Sequence, residues 1–82
     1  MSSIRWIRNL LADGHRYTVE ILIGTNLISD KCYVRINQEP ELWFTPDSDD
    51  RDLIVQKGIN ILKKRFDGIT VTLPNGKPYN WD

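Results

Sequence analysis

The sequence predicts an α+β domain: an antiparallel sheet of about four strands, covered on one face by a long helix, in the order β-β-β-(β)-α-β. Three observations carry this. Residues 16–23 and 31–38 alternate apolar and polar side chains, the period of a strand buried on one side only. Asp13-Gly14 between two apolar stretches is the strongest short hairpin signal a sequence offers. Residues 45–68 place apolar side chains at helical spacing, with aspartates at the start and Lys63, Lys64 and Arg65 at the end, as the helix dipole favours.

Residues 4–11 fit two descriptions. As a helix, Ile4, Trp6, Ile7, Leu10 and Leu11 share a face, with Ser3 as cap and Gly14 as terminator. As a strand, they join residues 16–23 through Asp13-Gly14, pairing Trp6 with Ile21, Arg8 with Val19 and Leu10 with Tyr17. The hairpin is preferred because Ile4, Trp6 and Leu10 then join Tyr17, Val19, Ile21 and Ile23 on one face. Arg8 is the only misfit there.

Residues 24–30 read as a loop. The next strand pairs Cys32 with Ile23, Val34 with Ile21 and Ile36 with Val19, the register that keeps every apolar residue on the core face. Pro40 interrupts, and Glu41 to Phe44 is a short fourth strand. In the helix, Ile54, Val55, Gly58, Ile59, Ile61, Leu62 and Phe66 fall on one wide arc. Asp47 or Ser48 is the expected N-cap. Gly68 suits the left-handed closing position, with Ile69 just beyond. Gly58, mid-arc, costs about 1 kcal/mol relative to alanine. A close helix–strand contact explains it more simply than a ligand does. Arg65 falls at the rim of the arc, where its stem lies on the core edge and its head reaches water. Ile69, Val71 and Leu73 then form a last strand, Asn75-Gly76 a turn, and residues 78–82 a tail able to fold back through Tyr79 and Trp81.

Eighty-two residues make one domain, 1–82, with 74–82 as a loosely packed tail and a radius of gyration of about 12 Å. Eleven basic and eleven acidic side chains balance, which removes the strong basic signal of most nucleic-acid binders. A single cysteine, Cys32, allows no internal disulfide and points to a reducing, cytoplasmic setting. No apolar run approaches the ~20 residues needed to span a bilayer, and residues 1–11 are too short and charged for a secretory signal.

The chemistry a catalyst needs is missing from the pattern. Gly76-Lys77 is followed by Pro78, so it is no phosphate-binding loop. One His and one Cys make a zinc site unpromising. The aspartates at 47, 49, 50 and 52 lack the mid-loop glycine and closing glutamate of a calcium loop, and helix capping explains them better. In the preferred register His15 and Cys32 lie at opposite ends of a strand pair, roughly 26 Å apart, against the ~3 Å that proton transfer requires. A non-enzymatic role without cofactor is expected.

The outer sheet face is where a function shows. Its rows read Arg5, Leu22, Tyr33; then Ile7, Glu20, Arg35; then Asn9, Thr18, Asn37. Glu20 and Arg35 sit opposite each other and pair. Ile7, Leu22 and Tyr33 edged by Arg5 and Arg35 have the composition of a small interface: an aromatic anchor, aliphatics and arginine. Trp43 alternates away from Leu42 and Phe44 and is the aromatic that the core explains least. Against this stands a plainer reading, a half-solvated face or one covered by the tail. The expected partner is a protein, including a second copy of the chain. The alternative is a weak nucleic-acid binder using Arg5, Arg16, Tyr33 and Arg35, since bases stack on such rings and guanidinium groups hold phosphate.

Overall fold

The computed structural model describes residues 3–24 and 32–81. Its elements are β1 (Ser3–Ala12), β2 (His15–Gly24), β3 (Cys32–Ile36), β4 (Leu42–Phe44), α1 (Arg51–Arg65) and β5 (Val71–Thr72). The strands form one antiparallel sheet in the order β4-β3-β2-β1-β5. Apart from Gly24, the expected loop lies outside the described residues, as do Lys31 and Asp82.

Residues 4–11 are strand, not helix, and the reason is local. Asp13 and Gly14 both take left-handed backbone angles, φ 53° and 76°, the pair a type I′ hairpin turn requires and whose twist matches the flanking strands. The ladder that follows has the predicted register: Trp6 opposite Ile21, Arg8 opposite Val19, Leu10 opposite Tyr17. β2 and β3 pair as predicted too, with Val34 opposite Ile21 and Cys32 opposite Ile23. β4 continues the sheet by setting Phe44 opposite Cys32, Trp43 opposite Tyr33 and Leu42 opposite Val34.

Leu10, Val19, Ile21, Ile23, Cys32, Val34 and Ile36 are buried beneath Ile54, Ile59, Leu62 and Phe66 of the helical segment. Gly58 is the point of closest approach. A Cβ built there would stand 2.9 Å from both Cδ1 and Cγ2 of Ile21, so the missing side chain is what lets the helix settle on β2.

The helix starts later than expected, and the capping residue differs. Asp50, with extended backbone, is the N-cap, and its carboxylate accepts the Asp52 N–H at 2.9 Å. Ser48 serves one step earlier, its hydroxyl accepting the Asp50 N–H. Asp47 is drawn away by Lys57, whose ammonium donates to its carboxylate at 2.8 Å and to the Thr45 carbonyl at 2.6 Å. Several residues of residues 47–50 have capping chemistry, and a tertiary ion pair decides among them. At the far end Gly68 takes φ 78° as expected. Arg65 is exposed and reaches Glu39 at 3.5 Å.

The last strand is shorter than the alternation of residues 69–73 suggested. Only Val71 and Thr72 pair with β1, opposite Ala12 and Leu11, because β1 turns away at Asp13 before it meets Thr70. Leu73 instead donates its N–H to the Lys77 carbonyl, and Tyr79 donates to Val71. These bonds fold the tail back through the Asn75-Gly76 turn. Trp81 then lies against Phe66 and Tyr79, with ring centroids 5.7 and 5.0 Å apart. The tail therefore extends the core on the helix side, and among the described residues none is laid across the opposite sheet face.

This also accounts for Arg8. Its guanidinium lies 4.5 Å over the Trp6 ring and donates to the Ile7 carbonyl, so a cation on the core face ends as a lid at its rim. Tyr79 is its neighbour. Burial pushes the Tyr79 hydroxyl above its ordinary pKa, and the Arg8 charge works against that shift.

Candidate interaction face

The outer face carries three rows whose members come from adjacent strands. In the first, Arg5, Leu22, Tyr33 and Trp43 lie side by side across β1, β2, β3 and β4. Tyr33 and Trp43 meet edge to face with centroids 5.1 Å apart, a geometry aromatic pairs prefer. Trp43 nevertheless remains 59% exposed, and Ile7 in the next row 41%. Large apolar side chains held open on a rigid sheet are the anchors that interfaces use.

The second row is electrostatic. Glu20 is only 7% exposed although it points to the outer face, because its neighbours close over it. Arg35 forms an ion pair with Glu20 from β3, and Arg5 Nε stands 3.6 Å away from the other side. Arg35 also reaches Glu41 at 3.4 Å, and its guanidinium carbon lies 5.8 Å from the centre of the Tyr33 ring. Burying a carboxylate is costly unless it is paired, and here two arginines supply the compensation. The carboxylate in turn fixes Arg35 beside Tyr33. A charge network thus holds the aromatic edge in place.

The third row stiffens the end of the sheet. Thr18 donates its hydroxyl to Asn9 and its N–H to the Asn37 side chain, while Asn37 N–H donates to the Thr18 carbonyl. Asn37 takes φ 54°, a left-handed angle that asparagine tolerates, and β3 ends there.

All six residues singled out from the sequence, Arg5, Ile7, Leu22, Tyr33, Arg35 and Trp43, therefore share one face. One participant was missed, and the place of another, Trp43, was left open. Glu41 follows from continuing the β3–β4 register by one step, and Trp43 finds its place beside Tyr33 the same way. The signal was the alternation of Leu42 and Phe44, which defines that register once β4 is set beside β3. Arg16 stands apart, exposed at the hairpin end opposite Leu11.

His15 begins β2, opposite Ala12, while Cys32 begins β3 and pairs with Ile23 near the far end of β2, where it is buried. Among the described residues no group of three or more His, Cys, Asp or Glu converges as a metal site would require. Among them, too, no helix is long and apolar enough to cross a membrane. A cleft of about 210 Å³ lies between Val34, Ile36, Pro40 and Leu42, and others of about 380 Å³ beside Leu53 and Lys57 and about 400 Å³ beside Leu10, Tyr17 and Pro74 stand at the low end of the ~300–1,000 Å³ of typical ligand pockets. No family model matches this chain, and neither the curated proteins nor the solved structures contain a match.

Proposed function

We propose that this chain is a non-enzymatic protein-interaction module that binds through its outer sheet face. The observation that carries the reading is the first row: exposed Trp43 and half-buried Tyr33 form an aromatic pair, near Ile7 and Leu22 and steadied by arginines that are themselves tied to Glu20. The helix and the tail occupy the other face, so nothing among the described residues competes for this one. A reducing, cytoplasmic setting fits the single buried cysteine.

The same network weighs against nucleic acid. Arg5 and Arg35, the cations that would meet phosphate, already face Glu20 and Glu41. One carboxylate at the heart of the face, Glu20, and one at its edge, Glu41, oppose a polyanion.

The test is affinity capture from native cells with wild-type and Tyr33→Glu baits, followed by reconstitution with the purified partner. Binding that is at least tenfold weaker for Tyr33→Glu and Trp43→Ala, with circular dichroism unchanged, supports the reading. Equal binding by folded variants refutes it.

A further inference from the structure

We infer that the occupant of the outer face is a second copy of the chain, docked face to face about a two-fold axis that runs along the strands between β2 and β3. The inference rests on the interaction reading above and names its partner.

The first support is the charge pattern. Arg5 and Arg35 balance Glu20 and Glu41, so the patch is neutral and selects neither an acidic nor a basic partner. Its polarity is in the arrangement. Arg5 lies on β1 and Glu41 at the start of β4, at opposite sides of the face, about 14 Å apart at three strand spacings. A two-fold axis along the strands exchanges these sides. Arg5 then faces the partner's Trp43, with the partner's Glu41 diagonally one row away and within reach of its long side chain, and the partner's Arg5 does the same in return. Leu22 meets the partner's Tyr33 by the same operation. Each self-contact of an isologous interface is made twice.

The second support is the outline of the patch. β5 pairs only with Leu11 and Ala12, so beside the first two rows β1 and β4 are the flanking strands and the patch is four strands wide. It is therefore symmetric about the β2–β3 boundary, as the axis requires. Stacked sheets lie about 10 Å apart, a gap that arginine, tyrosine and tryptophan side chains from both faces fill. Four strands by two rows cover roughly 19 by 14 Å in plan. This is well below the ~800 Å² per partner of a standard interface, so the association is weak and depends on concentration.

The experiment is sedimentation velocity of the wild type from about 10 μM to 1 mM, then of Arg5→Glu, Glu41→Arg, and their equimolar mixture. The wild type is expected to shift from monomer to dimer over this range. Each single variant sets like charges against each other twice and should dimerise at least tenfold more weakly. The mixture restores both opposite-charge pairs and should recover dimer as a heterodimer. Wild type that stays monomeric to 1 mM overturns the second copy, and so does a mixture no better than its components. If the wild type is monomeric while a captured partner still depends on Tyr33 and Trp43, the second copy fails and the interaction reading stands. If the wild type is monomeric and capture is indifferent to both residues, the interaction reading fails as well.

Discussion

Gly58→Ala tests how the helix sits on the sheet. In an exposed helix the change stabilises by about 1 kcal/mol, because alanine loses less backbone freedom and glycine is the poorer helix former. Here the new methyl would stand 2.9 Å from two carbons of Ile21 and 3.1 Å from a third. Ile21 is 0% exposed and is flanked across the sheet by Trp6 and Val34, so it has no open space to retreat into. Overpacking of this kind costs about 1–3 kcal/mol. Taking about 2 against the gain of about 1, the variant should lose roughly 1 kcal/mol, which lowers Tm by about 4–8 °C in a domain of this size. The sign should reverse in an Ile21→Ala background, where all three crowding atoms are gone. There Gly58→Ala should stabilise by up to about 1 kcal/mol, giving a coupling of about 2 kcal/mol in a double-mutant cycle read by urea denaturation. A higher Tm for Gly58→Ala alone, or equal effects in both backgrounds, would refute the reasoning.

Two further expectations concern the helix start and the core rim. Asp50→Ala should cost about 1 kcal/mol by removing the acceptor for the Asp52 N–H, whereas Asp50→Ser should be close to neutral; urea midpoints of the two variants decide it. Arg8→Leu should lose about 0.5–1 kcal/mol of cation–π attraction to Trp6. It should also raise the Tyr79 pKa further, since Arg8 opposes the effect of burial. Tyr79 titrates above its ordinary value in the folded chain, so the unfolded chain loses that proton first as pH rises. Stability from this group is therefore intact below pH 10.0 and is lost as pH climbs through the folded pKa. Ultraviolet titration of the phenol in wild type and Arg8→Leu, with Tm followed from neutral to alkaline pH, checks both parts.

Much of this fold was legible because local chemistry and burial pattern agree. Asp13-Gly14 admits a turn that fixes the first register, and in β2 and β3 a slip by one residue would expose Val19, Ile21 and Val34 together. Gly58 was readable for the same reason, since a costly glycine in mid-arc needs a close neighbour. What escaped the sequence depends on contacts between distant segments. Residues 47–50 hold several capable caps, and Asp50 prevails only because Lys57 holds Asp47 elsewhere. Nothing in residues 69–73 says how much of β1 remains to pair with. The side of the sheet taken by Tyr79 and Trp81 is set by Phe66 at the end of the helix, whose ring Trp81 meets. In the site, the β1–β2–β3 rows followed from alternation, while the place of Trp43 and Glu41 depended on which strand β4 would join.

The most direct test of the claim that the outer face binds a second copy of the chain is an amide NMR dilution series on labelled protein, from about 1 mM to 20 μM. Shift changes confined to Arg5, Ile7, Leu22, Tyr33, Arg35 and Trp43 and their immediate neighbours are the result predicted. Changes centred instead on Gln56, Asn60 and Lys64 of the helix surface, or a spectrum indifferent to concentration, would contradict it.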